Sequence, residues 1–456
     1  MNTRINNSFI YLIGALGGLL FGYDTGIISG AILFITDEFR LSSFMEGVVV
    51  SSILVGAMIG SAFSGIISDK LGRRKIIMAA AITFCFGSLG CADSPSIKIL
   101  IAFRILLGIA VGGASTLVPM YLSEIAPPQK RGALSSINQL MITIGILFAY
   151  FVSYGFSATT GGWRWMLGFA FFPSAILLIG ILFLPESPRW LLTHGREAEG
   201  RQVLNRLRNG QNIELELNQI YNANVQNRGS LKDLALGWAR PALVIGVGLA
   251  FFQQIIGCNT VIYYAPTIIA SMGLGKSAAI FGTVLIGLIN VLITLVAMKL
   301  IDRIGRKKLL LIGNVGMIIC LLLLWIFGSL FAGSILSPVL TVLSLGLYII
   351  FFGVSWGPVV WVMLGEIFPL HFRGVGIGLS SMVNWLANLL VALTFPVLLQ
   401  KMGTLLFILY AITGLLAFLF VKKEVIETSK KSLEQIELEL HIKSKQASSA
   451  NIGRGN

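Results

Sequence analysis

The chain has 456 residues, 55% of them hydrophobic and 12% charged. A soluble domain carries about 25% charged residues, so a water-soluble globule is excluded. The net charge of +14 sits in short loops between apolar stretches. It therefore marks membrane topology and contact with acidic lipid, and no basic face for nucleic acid is visible.

Twelve apolar stretches are predicted, at 8–35, 44–68, 76–94, 97–122, 133–156, 165–184, 240–270, 277–301, 308–330, 335–365, 375–399 and 404–422. Each is roughly the length of a bilayer-crossing helix, about 20 residues. They do not alternate polar and apolar as barrel strands do. The first is too long for a signal-peptide core.

The first stretch is crowded with glycine and carries Asp24 near its middle. A carboxylate at membrane depth is costly and demands a reason. Arg104, in the fourth stretch, is its partner by sign. Two readings stay open at this point: a structural ion pair, or a protonatable coupling site whose state depends on its surroundings. The fifth stretch carries Gln139. The polar segment 186–239 reads as a cytoplasmic linker with short helices, dividing a first half (1–185) from a second (240–422).

The seventh stretch holds Gln253, Gln254 and Asn259, with Gly257 as a helix breaker between them. Asn290 follows in the eighth. Gly353, Gly357 and Pro358 interrupt the tenth, which carries Trp361; the eleventh holds Asn384, Trp385 and Asn388. Amides donate and accept, which suits sugar hydroxyls, and indoles pack on the apolar face of a pyranose. Interhelical hydrogen bonding is the alternative for any single amide; the set together points to a polyol site. The tail, 423–456, should open a short helix near Ser432 and become disordered after about Lys443.

Basic residues alternate between loops. Lys70, Arg73, Arg74 and Lys75 follow the second stretch, Lys130 and Arg131 the fourth, Arg303, Arg306, Lys307 and Lys308 the eighth, and Arg373 the tenth. The segment 186–239 is also rich in arginine, whereas the intervening loops carry little. Both termini are thus expected in the cytoplasm.

Two loop strings recur. Asp69-Lys70-Leu71-Gly72-Arg73-Arg74-Lys75 returns as Asp302-Arg303-Ile304-Gly305-Arg306-Lys307-Lys308, and Glu124 through Arg131-Gly132 returns as Glu366 through Arg373-Gly374. Two unrelated signatures in the same order at nearly the same offset indicate a duplicated chain. A duplicated membrane protein is expected to be an all-α transporter of two pseudo-symmetric six-helix halves around a central site. Asp69 is expected to cap a neighbouring helix end. Arg73 and Arg74 are expected to bridge to Glu124 or Glu366, with Arg131, Asp302, Arg306 and Arg373 in the same gating set. A mere topology signal is the alternative, but it would need no acidic partners.

Cys85, Cys91, Cys258 and Cys320 show neither a pairing framework nor metal spacing, and His194, His371 and His441 do not cluster. No metal or cofactor is expected. No phosphate loop or nucleophile–base pair suggests an enzyme.

The strings Gly65…Asp69-Lys70-x-Gly72-Arg73-Arg74, Pro119…Glu124…Arg131-Gly132, Pro185-Glu186-Ser187-Pro188-Arg189, Gln253-Gln254-x-x-Gly257-x-Asn259 and Glu366-x-Phe368-Pro369-x-x-x-Arg373-Gly374 together resemble the sugar porters of the major facilitator superfamily. Proton-coupled xylose and glucose symporters are the nearest in character. The resemblance covers roughly residues 8–440. It implies the major facilitator fold and a monomer in the cell membrane that imports a monosaccharide by proton symport. It places Gln139, Gln253, Gln254, Asn259, Asn290, Trp361, Asn384, Trp385 and Asn388 at the sugar, with Phe21 and Tyr263 lining the same cavity. It makes Asp24 the proton site and Arg104 its partner. Two positions depart from the pattern: Met298 stands where the first repeat has Gly65, and the tail reads Ile426-Glu427-Thr428 where Pro-Glu-Thr is usual. A uniporter and a non-transporting sensor are the alternatives, though a sensor would carry a longer signalling tail. Xylose, glucose, galactose and arabinose remain open. The string Gly257-Cys258-Asn259-Thr260-Val261 leans towards xylose.

Overall fold

The computed structural model describes residues 7–127, 131–208, 213–214, 216–218, 234, 238–331, 333–334, 336–369, 372–429, 431 and 433–452. Among these there is no strand. The first helices are α1 (Asn7–Phe39), α2 (Ser43–Leu71), α3 (Arg73–Ala92), α4 (Ile97–Ile125), α5 (Arg131–Phe156), α6 (Gly162–Gly168), α7 (Phe171–Leu182), α8 (Pro188–Thr193) and α9 (Glu197–Leu207). Then come α10 (Arg240–Ile255), α11 (Cys258–Ser271), α12 (Lys276–Ile304), α13 (Arg306–Leu330), α14 (Leu336–Val354), α15 (Trp356–Ile367), α16 (Arg373–Met402), α17 (Leu406–Glu424) and α18 (Leu433–Ile452).

Among the described residues, 11 helical stretches are long and apolar enough to cross a membrane. The last, Arg373–Glu424, is 52 residues long and is broken at Gly403–Leu405 into α16 and α17. Twelve crossings result, as the sequence predicts. The crossings carry large apolar side chains outward, among them Phe86, Ile66, Phe172 and Leu343. Water would penalise that much exposed apolar surface, whereas lipid does not.

Three crossings are split. Gly257 takes a φ of 88° between α10 and α11, a left-handed conformation that costs an L side chain about 1–2 kcal/mol. The tenth breaks at Ser355, beside the glycines that flagged it. The sixth breaks at Phe169–Ala170, between Gly168 and Pro173, whose ring removes the N–H that would bond Phe169 O. The tail departs from expectation: α18 continues to Ile452, since no Pro or Gly interrupts it before Gly453.

The chain divides into two compact units. One comprises Met1–Gln226, Ile262–Thr267 and Gly275–Val291; the other comprises Asn227–Val261, Ile268–Leu274 and Leu292–Asn456. In the first unit α1 packs along α5, α3 along α7, and α2 along α4. In the second, α10 packs along α16 and α13 along α17, repeating the first two pairings as a duplication requires. The α2–α4 contact is close. A Cβ on Gly56 would overlap the carbonyl oxygen of Ile105, and one on Gly108 that of Ile53, so only glycine allows the two backbones to touch.

Candidate functional site

In the first unit Asp24 lies near the middle of α1 and is 3% exposed; its Oδ2 is buried without a hydrogen-bond partner. Arg104, on α4, is fully buried. It does not pair with Asp24. Its Nε donates to Val49 O at 2.8 Å and its Nη2 to Val50 O at 3.2 Å, leaving Nη1 unpartnered. The expected ion pair is therefore corrected. The glycine contact brings α2 against α4, so the guanidinium reaches α2 carbonyls first. What remains is a buried carboxylate with a free oxygen and a buried cation with a free N–H, on two helices of one unit. Such a carboxylate is a natural place for a proton to bind and leave.

Of the other expected residues, Phe21 lies on α1, Gln139 half-buried on α5, and Tyr263 and Asn290 buried on α11 and α12, all within the first unit. The second unit gathers the amides. Asn259 Nδ2 donates to Gln254 Oε1 at 2.8 Å, and Gln254 Nε2 donates to Asn384 Oδ1 at 3.1 Å. Asn384 Nδ2 in turn donates to Gln253 Oε1 at 2.8 Å and to Ala250 O at 2.9 Å. Gln253 Nε2 ends the chain on Trp356 O at 2.7 Å. Four helices, α10, α11, α15 and α16, are thereby joined, because the Gly257 break turns α11 back so that Asn259 reaches Gln254. Each primary amide has two N–H donors, so the chain leaves donors and acceptors over, and Asn259, half-buried at its end, presents them outward. Asn388 is buried one turn beyond Asn384 on α16, Trp385 is half-buried, and Trp361 on α15 is 44% exposed.

The loop charges form two matched clusters, one in each unit. In the first, Arg73 pairs with Asp69 at 2.8 Å and with Glu124 at 3.2 Å. Glu186 Oε1 accepts the backbone N–H groups of Arg73 at 3.0 Å and Arg74 at 3.1 Å. In the second, Arg306 pairs with Glu366 at 3.1 Å, and Glu427 accepts the N–H groups of Arg306 at 2.8 Å and Lys307 at 3.1 Å. Thr428 Oγ1 adds a 2.6 Å bond to Glu366 Oε2. Gly72 and Gly305, at φ 101° and 97°, make the same sharp entry into α3 and α13.

Two expectations are corrected here. Among the described residues Asp69 caps no neighbouring helix, because the Gly72 turn returns Arg73 to it. Arg74 meets neither Glu124 nor Glu366; it donates to Ile181 O at 3.1 Å and Leu182 O at 2.7 Å, closing the end of α7. Arg373 donates to Phe368 O at 3.4 Å. The side chains of Arg131 and Asp302 lie outside the described residues. Sequence reasoning gave no role to Glu186, Glu427 or Thr428. The signal was present: Glu186-Ser187 and Glu427-Thr428 each follow the last crossing of a half. Among the described residues no group of His, Cys, Asp and Glu could hold a metal ion.

A family model described as "Sugar (and other) transporter" matches residues 10–440. The chain is 49% identical over 443 residues to the D-xylose transporter of Levilactobacillus brevis, covering 96% of this chain and 97% of that protein. It is 48% identical to the glucose transporter GlcP of Staphylococcus epidermidis, covering 96% and 98%. Among solved structures, the proton:xylose symporter XylE of the major facilitator superfamily superposes with a TM-score of 0.76 at 33% identity, over 95% of this chain and 99% of that one.

Proposed function

Because the chain belongs to the sugar-transporter family of the major facilitator superfamily, and is thus a multi-pass membrane protein of twelve helices in two halves, we propose that it imports a pentose or hexose by proton symport. The observation that carries symport is Asp24: a lone carboxylate at mid-helix depth, buried, with one oxygen unpartnered and the nearest arginine committed elsewhere. A carboxylate kept only for structure would be expected to use both oxygens.

In this reading Asp24 takes a proton on one side of the membrane and gives it up on the other, with Arg104 setting its surroundings. Sugar hydroxyls engage Gln253, Gln254, Asn259 and Asn384: Gln254 and Asn259 each keep one N–H to donate, and the amide oxygens keep lone pairs to accept. Phe21, Gln139, Tyr263, Asn290, Trp361, Trp385 and Asn388 complete the site. Xylose and glucose are favoured because transporters of both are nearly 50% identical to this chain. The charge clusters brace the cytoplasmic helix ends of each half and loosen as the protein changes state. The protein acts as a monomer in the cell membrane, with both termini in the cytoplasm.

The test is uptake of radiolabelled xylose, glucose, galactose and arabinose into proteoliposomes, with and without an imposed proton gradient. Wild type should concentrate at least one sugar only when the gradient is present. Asp24→Asn should exchange that sugar across the membrane yet fail to concentrate it. Equilibration indifferent to the gradient would make the chain a uniporter, and binding without uptake would make it a sensor.

A further inference from the structure

Helix α11 is held in an unusual way. Gly257 and Gly273, at φ 88° and 107°, interrupt the backbone at its two ends, so its position is set by side contacts rather than by continuous helix. Pro266 lies inside it. Proline has no N–H, so the carbonyl four residues earlier, Ile262 O, loses its helical donor. In a membrane such a carbonyl must find another partner. It finds one in α5, within the same unit: Tyr150 Oη donates to Ile262 O at 3.0 Å, with Tyr150 only 2% exposed.

The tyrosine is placed for this bond. A Cβ on Gly287 of α12 would stand 2.7 Å from Tyr150 Cδ2, so glycine there makes room for the ring. Tyr150 also belongs to a stripe at helical spacing on α5 and the turn after it. Tyr154 meets Phe281 of α12 with ring centroids 5.4 Å apart, and Ser157 Oγ bonds Ser277 Oγ at 3.2 Å. Near the start of α12, Lys276 donates to Leu33 O at 2.8 Å and pairs with Asp37, both on α1.

We propose that Tyr150 is a positioning residue of the transport cycle: its hydroxyl supplies the hydrogen bond that Pro266 cannot, and so docks α11 on α5 through a removable bond. The segment it holds carries Tyr263, in the same unit. Docked, it presents Tyr263 to the site; released, it withdraws it. A full helical bond at Ile262 would make α11 rigid and indifferent to α5. The proline–tyrosine pair makes its order conditional on the neighbouring helix. This role rests on the sugar-transport reading, but the docking itself is tested without sugar.

The experiment is hydrogen–deuterium exchange of the full-length protein in lipid nanodiscs, read for amides of 258–271 and, as a control, of α3. Tyr150→Phe should raise α11 exchange about 2- to 13-fold, the effect of losing one neutral hydrogen bond, and leave α3 unchanged. Pro266→Ala restores the missing N–H. In that background Tyr150→Phe should change α11 exchange by less than about twofold, since the carbonyl is then satisfied within the helix. Unchanged α11 exchange in Tyr150→Phe overturns the proposal. So does an equal effect in both backgrounds, or a rise shared by α3, which would mark general loosening. Loss of sugar uptake with unchanged exchange would count against the docking and leave the transport reading standing.

Discussion

Replacing Gln254 by alanine separates the two things that the amide chain does. Gln254 accepts from Asn259 and donates to Asn384, so its removal orphans one group at each neighbour. Asn259 is half-buried and can turn to water, but Asn384 is 5% exposed and its Oδ1 cannot. An orphaned buried acceptor costs about 1–3 kcal/mol, and that loss should appear in the unfolding free energy in detergent. Separately, one hydrogen bond to a neutral sugar hydroxyl is worth roughly 0.5–1.5 kcal/mol, so affinity should fall about 2- to 13-fold. The assay is sugar binding followed by isothermal titration on purified protein, beside thermal unfolding of the same preparation. Unchanged affinity with normal expression would remove Gln254 from the sugar site. Lower affinity at full stability would refute the reasoning about Asn384.

Two further outcomes are expected from the fold. Glu427→Ala deprives the first two amides of α13 of their acceptor and should lower stability by about 0.5–2 kcal/mol, the usual value of a helix cap. Glu186→Ala should do the same to α3, and thermal unfolding in which neither variant moves would mean that water serves both helix ends as well. Gly257→Ala must adopt a φ of 88° and set its Cβ 3.0 Å from Tyr410; it should cost about 1–2 kcal/mol and slow uptake. Wild-type uptake and stability in that variant would show that the break between α10 and α11 needs no glycine.

The crossings were legible because apolar length alone reports them, and the duplication because charged strings stand out against an apolar background. The break at Gly257 was legible too, since glycine between amides has few other uses in a membrane helix. The partner of Arg104 was not. Sign and depth suggested Asp24, but the contact was decided by which helix lies nearest, and that depends on Gly56 and Gly108 meeting the backbones of Ile105 and Ile53, far away in sequence. The break at Phe169–Ala170 was legible in Gly168 and Pro173 on either side of it, whereas no local pattern ties Tyr150 to Ile262. The role of Glu186 was hidden for a similar reason. A cap is read from the residues just before a helix, whereas this one arrives from beyond the end of the half.

That distance sets a schedule for synthesis. Glu186 lies 113 residues after the Arg73 amide it caps, and Glu427 lies 121 after that of Arg306. At 5–20 residues per second, the start of α3 waits roughly 6–23 s for its carboxylate to leave the ribosome. Until then its first amides face headgroups and water, and the half lacks that cap. The acidic residue behind each sixth crossing is thus made after the helix end that it caps. A nascent chain stalled before it should hold an open, protease-sensitive bundle, and one released just after it a finished half.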